Sequence, residues 1–312
     1  MMTVVNSLLP IFLVIALGAV LRATRFLSQE FFTGMNKLCY WVALPALLFY
    51  KVAGARFEGG AALSIFWVLL IATATLTLVG YVFSFVLRLP GPSRGAFVQA
   101  SFRGNLVYVG LPVILYTLTR DGADAGPIES SAIVGIAPLV PIYNALAVLV
   151  LTLHGSGGKR PGVGVILKQI ATNPLILSCL AGLAFCLGGI PLPAAGVSAL
   201  KMTGQVALPL ALLAIGSSLS FDRVRGNLLA ASCAAFVKIA VAPLVGYAVA
   251  RWLGVGPTET CIALVYLACP TAIISCVLAE QLGADHVLSG SAVVVSTLAS
   301  MVSLAVIVYS FA

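Results

Sequence analysis

Ten apolar runs, each near the length a helix needs to cross a lipid bilayer, follow one another along this 312-residue chain. They lie near 4–21, 37–55, 62–87, 95–118, 130–153, 170–188, 194–219, 227–251, 257–282 and 287–311. A bilayer's hydrocarbon layer is about 30 Å thick, which takes about 20 helical residues to span. Inside that layer every backbone N–H and C=O must bond within the protein, so runs of this length specify helices. Only 8% of the residues are charged and the mean hydropathy is +1.13, whereas a water-soluble domain carries roughly a quarter charged residues. The expected fold class is an all-α polytopic membrane protein. The first run has no Lys or Arg before it and is followed by Arg22 and Arg25, so it is expected as a retained span and not as a cleaved signal peptide.

The net charge of +8 would suggest nucleic acid in a soluble protein, but here the basic residues are scattered between apolar runs and no nucleic-acid partner is expected. They bear on orientation instead. Grouping the loops alternately puts Arg22, Arg25, Lys37, Arg88, Arg94, Lys159, Arg160, Lys168, Arg223 and Arg225 on one side. Lys51, Arg56, Arg120, Lys201 and Arg251 fall on the other. The positive-inside rule then places both termini outside an inner (plasma) membrane. The seven cysteines fall in or beside the runs with no CxxC spacing, and the two histidines lie in or near loops. No metal site or cofactor is expected.

The chain also repeats itself. Val42-Ala43-Leu44-Pro45 returns as Val206-Ala207-Leu208-Pro209, Val79-Gly80-Tyr81 as Val245-Gly246-Tyr247, Pro92 as Pro257, and Gly122-Ala123-Asp124 as Gly283-Ala284-Asp285. The matches keep one order and nearly one offset, as a repeat of five spans would. Five is odd, so the second half enters the membrane from the opposite side. The expected division is 1–155 and 156–312, two inverted five-helix repeats, joined by a short cytoplasmic linker from His154 to Gly164.

Two segments are poor lipid-facing helices. The fourth run carries Arg103-Gly104-Asn105 and then Gly110-Leu111-Pro112, and the repeat offset sets Gly104-Asn105 opposite Pro270-Thr271 in the ninth. Glycine and proline there predict unwinding of both helices, broken and crossing at one depth. Half-helix N-termini, with free N–H groups and partial positive charge, would then favour an anion. A guanidinium near the bilayer centre costs about 2.5–3.5 kcal/mol on insertion scales, so Arg103 is expected to face water or substrate, and its fork suits a carboxylate. The alternatives are that Arg103 caps a helix or snorkels to the interface, and that Asn105 and Thr271 only satisfy carbonyls freed by their own breaks.

Lys238, midway along the eighth run, needs a water cavity, a carboxylate or substrate. Glu259 and Glu280 are interfacial charges or its partners. Glu280 and Ser275 are candidates for holding a coupling ion, and Asn144 and Gln205 for bonding between helices. The candidate substrate-binding set is Arg103, Gly104, Asn105, Pro270, Thr271 and Lys238. Pro45 and Pro209 are taken as kinks.

The chain resembles the auxin efflux carrier family over nearly its whole length. The likeness is carried by Leu9-Pro10, Met35-Asn36-Lys37 with Val42-Ala43-Leu44-Pro45, Gly104-Asn105 with Gly110-Leu111-Pro112, and Pro270. It implies ten spans, a scaffold of spans 1, 2, 6 and 7, a mobile core of the others, a binding site where spans 4 and 9 cross, and a homodimer. Gly104 stands where many relatives have proline, and the long hydrophilic loop of plant members is absent. The expected function is a secondary carrier of a small organic anion such as malonate, coupled to H+, Na+ or nothing. A channel or receptor on the same scaffold is the alternative. An intramembrane enzyme is not expected, since no HExxH, paired aspartates or Ser–His arrangement is present, and no GxxxxGK[ST] loop offers nucleotide binding.

Overall fold

A computed structural model describes residues 2–54, 59–118, 125–155, 164, 171–218 and 227–311. Its regular structure is helical, with one isolated antiparallel bridge among the described residues. In chain order the helices are α1 (Met2–Ala23), α2 (Gln29–Leu38), α3 (Leu44–Ala53), α4 (Gly59–Val86), α5 (Gly91–Phe102), α6 (Leu111–Thr117), α7 (Ala125–Ile136) and α8 (Leu139–His154). There follow α9 (Pro174–Leu187), α10 (Ala194–Gln205), α11 (Ala207–Ser218), α12 (Leu228–Phe236), α13 (Ala242–Trp252), α14 (Pro257–Ala268), α15 (Ile274–Gln281) and α16 (His286–Phe311). Most of the linker expected between 154 and 164, and the Gly122–Asp124 echo, lie outside the described residues.

Four described stretches are long and apolar enough to cross a membrane: 60–86, 194–217, 228–252 and 286–311. Other apolar helices are shorter, and proline explains much of the interruption. Among the described residues, three wide π-helical turns, Cys39–Ala43, Leu106–Gly110 and Val237–Val241, each end two residues before a proline: Pro45, Pro112 and Pro243. The residue before each proline donates its N–H five residues back, Leu44 to Cys39, Leu111 to Leu106 and Ala242 to Val237. A proline has no N–H and its ring crowds the carbonyl four residues earlier, so widening the preceding turn relieves both. Near Pro209 the helix breaks instead, at Val206 between α10 and α11.

Two sets of helices pack together. In one, α1 lies along α11 and α3 lies against α9 and α10. The α1–α11 approach is close enough that a Cβ on Gly18 or Gly216 would strike the partner's backbone, at Leu213 and Ile15. Small residues permit such contact between apolar helices, where dispersion does the packing. In the other set, α4 packs on α5, α7, α13 and α14, while α16 packs on α12, α14 and α15. This second set encloses the fourth and ninth apolar runs.

Candidate functional site

Each of those two runs is broken in its middle. The α5 helix ends at Phe102, and Arg103 turns to extended geometry (φ −80°, ψ 95°) before the chain resumes at Leu106. In the ninth run α14 ends at Ala268, Cys269 is extended (φ −55°, ψ 147°), and α15 starts at Ile274. The extended stretches pair: Asn105 N–H donates to the Pro270 carbonyl (2.8 Å) and Ala272 N–H to the Arg103 carbonyl (2.9 Å), bridging Gly104 and Thr271. Backbone groups that would be stranded in hydrocarbon are thus satisfied across the breaks.

Thr271 pins this junction. Its N–H donates to Ser296 Oγ (3.0 Å) and its hydroxyl to the Ala100 carbonyl in the last turn of α5 (3.0 Å). The side chain is fully buried and its proton is already committed.

Arg103 and Lys238 both lie beside the paired breaks. Arg103, 5% exposed, donates from Nη2 to Asn144 Oδ1 on α8, while its Nη1 is buried without a hydrogen-bond partner. Lys238, fully buried in the third π-helical turn, donates from Nζ to the Leu267 carbonyl at the end of α14. Its ammonium lies against Gly104: a Cβ built there would be 3.1 Å from Nζ. Neither cation has a carboxylate partner, and the one ion pair among the described residues, Lys51–Glu129, involves neither.

This arrangement sorts the helix ends. Each break leaves one helix C-terminus, with partial negative charge, and one N-terminus, with partial positive charge. Lys238 caps the α14 C-terminus, and Arg103 adjoins that of α5. The N-terminal ends beginning at Leu106 and Ile274 receive no such charged cap among the described residues.

Asn105 is 8% exposed and does not cap the turn that follows it. Elsewhere the chain does use asparagine as a cap: Asn173 Oδ1 accepts from Leu175 N–H (2.9 Å) and Ile176 N–H (3.3 Å), and Asn227 Oδ1 from Ala230 N–H (3.0 Å). The Asn105 backbone carbonyl instead receives Val109 N–H and Gly110 N–H, at 3.1 and 3.2 Å.

The structure therefore brings together Arg103, Gly104, Asn105, Pro270, Thr271 and Lys238. Ser275 is close in sequence to the break and fully buried, with an unpartnered hydroxyl. Glu280 is exposed near the far end of α15 and forms no ion pair with Lys238. Asn144 bonds between helices as expected, through Arg103, whereas Gln205 is exposed. Sequence reasoning passed over Gln99 and Ser296. Gln99, one turn before Arg103, is fully buried with both amide atoms unpartnered. A polar residue four positions from Arg103 on an apolar helix was the available signal, since that spacing shares a face.

Apolar helices broken around paired extended segments define a polytopic integral membrane protein. The chain belongs to the auxin efflux carrier type of membrane transport family: the family model described as "Membrane transport protein" matches residues 3–157 and 160–308. It is also similar to an uncharacterized transporter of Methanothermobacter thermautotrophicus, 24% identical over 300 residues that cover 96% of this chain and 95% of the relative. The protein is a membrane transporter.

Proposed function

We propose that the protein is a secondary carrier of a small organic anion, such as malonate or another carboxylate, bound where the fourth and ninth spans cross. One observation carries this reading: two buried cations, Arg103 and Lys238, flank the paired breaks without a carboxylate partner among the described residues. An unpaired buried charge is expensive, and a visiting anion would offset it. In this reading Asn105 donates its uncommitted side-chain amide to the substrate, Gly104 and Pro270 shape the opening, and Thr271 holds the junction. Arg103 and Lys238 supply the positive potential.

Ten spans follow if α1, α4, α9 and α16 each cross alone and the remaining helices cross as pairs in chain order. Reciprocal packing supports two inverted halves, 1–155 and 156–312: α1 lies on α11 as α9 lies on α3, and α4 lies on α5 as α13 lies on α14. Alternating access would move the set built around the breaks against the set containing α1, α3, α9 and α11. Both termini face outside the plasma membrane, the carrier is a homodimer, and transport is coupled to H+, to Na+ or to neither, with Ser275 the better placed of the two candidate ligands for a coupling ion.

The test is counterflow of labelled malonate and other carboxylates in proteoliposomes, with and without sodium and pH gradients. Saturable, exchange-stimulated flux that Arg103→Ala abolishes while the protein stays folded is expected. Unchanged transport in that variant removes Arg103 from the site, and flux proportional to concentration without exchange identifies a channel.

A further inference from the structure

Away from the breaks, α13, α14 and α16 enclose a groove of about 950 Å³ open to the outside of the molecule. Its floor is made of small or compact residues, Ala240, Pro243 and Ala299, and its rim of exposed Leu244, Val302 and Val306. The groove begins beside the π-helical turn of α12–α13 and reaches Arg251 in the last turn of α13.

We propose that this groove is a binding site for one anionic phospholipid, with an acyl chain along its floor and the headgroup phosphate on Arg251. Three features select that occupant. The first is length. From Ile239 to Arg251 the helix rises about 18 Å at 1.5 Å per residue, and one leaflet's hydrocarbon is about 15 Å deep, half of a bilayer core. A groove that starts midway along the apolar stretch 228–252 and stops at its C-terminal end matches a single acyl chain.

The second is charge. Arg251 is exposed, in no ion pair among the described residues, and is the one charged residue lining the groove. It complements the α13 C-terminus, but a guanidinium also binds phosphate in a forked geometry, which a lipid headgroup supplies at that depth. The third is the level of that end. Tyr247 lines the groove, 48% exposed, and Trp252, 76% exposed, follows Arg251, as aromatic side chains do at the membrane–water interface. The helix widening ahead of Pro243 turns Lys238 inward and leaves Ile239 and Ala240 on the groove side, so one local irregularity shapes both surfaces.

Native mass spectrometry of purified protein, with thermal unfolding in mixed micelles of phosphatidylglycerol or phosphatidylcholine, tests this directly. Wild-type protein should retain one phosphatidylglycerol per chain and be stabilised more by it than by phosphatidylcholine. Arg251→Gln, a surface change, should weaken phosphatidylglycerol retention about five-fold and erase the preference, as one basic side chain at the surface contributes about that much. Val302→Trp, which fills the groove from its rim, should lower retention of both lipids, whereas Leu78→Trp, at an exposed position of α4, should not. Equal retention of phosphatidylglycerol in wild type and Arg251→Gln overturns the proposal. So does efficient disulfide cross-linking of two copies through Leu244→Cys in native membranes, which would make the groove a protein interface.

Discussion

Gly104 and Lys238 share one space: a Cβ on residue 104 would stand 3.0 Å from Cε and 3.1 Å from Nζ of the lysine, whose ammonium is bonded to the Leu267 carbonyl. The absence of a side chain at one break lets a cation from another helix reach the end of α14. Gly104→Ala should therefore displace the ammonium. Because the obstructed atoms end a flexible chain, the expected destabilisation is at the low end of overpacking, about 1 kcal/mol. Thermal unfolding should show a modest loss and counterflow a large one; unchanged transport would mean that the ammonium's position is immaterial.

Lys238→Met addresses the cation itself. Burying a lone ammonium is unfavourable, and relieving that burial offsets the cost, about 1–3 kcal/mol, of leaving the Leu267 carbonyl unpaired. The variant should unfold at the same temperature as wild type or higher, while losing stabilisation by carboxylates in a ligand thermal-shift measurement. A severe drop in stability instead would assign Lys238 to holding the fold together.

Gly110 is more tightly enclosed. A Cβ there would lie 2.6 Å from Tyr266 Cδ1 and 2.7 Å from Cys269 Sγ, both on the ninth run just before or within its break. Gly110→Ala should destabilise by about 1–3 kcal/mol through overpacking. Gly34→Ala, inside α2 with nothing within 4 Å of its added Cβ, should instead stabilise by about 0.5–1 kcal/mol, because alanine is the better helix former. Paired unfolding curves in one detergent compare them.

The Lys51–Glu129 pair joins α3 to α7 and lines a cavity of about 430 Å³ near Pro191. Both side chains are partly exposed, so the pair contributes at most about 1 kcal/mol. If α7 moves relative to α3 during transport, Lys51→Gln should change exchange rate while scarcely altering unfolding temperature. The double reversal Lys51→Glu with Glu129→Lys should restore the rate. An exchange rate insensitive to Lys51→Gln would show that the two helices keep their contact throughout.

Much of the candidate site was legible because its signals are local. Gly104, Pro112 and Pro270 alter helix geometry within their own turns, so the interruptions of both runs followed from the residues themselves. Arg103 and Lys238 stood out because charge is rare in this chain. Glu280 had the same rarity, yet α15 carries it to an exposed end. Gln99 and Ser296 escaped notice because neutral polar residues in apolar helices carry no comparable signal, and their burial depends on neighbouring helices.

The order of residues alone is enough to put this chain in a membrane, to make it helical and to mark where its helices falter, because hydration, backbone bonding and proline sterics act over a few residues. It takes the packed molecule to show that Lys238 answers the Leu267 carbonyl and not a glutamate, that Thr271 is bound to Ala100, and that Asn105 leaves its own helix uncapped. Those relationships join residues far apart in the chain, and packing of whole helices, not local propensity, brings them within bonding distance.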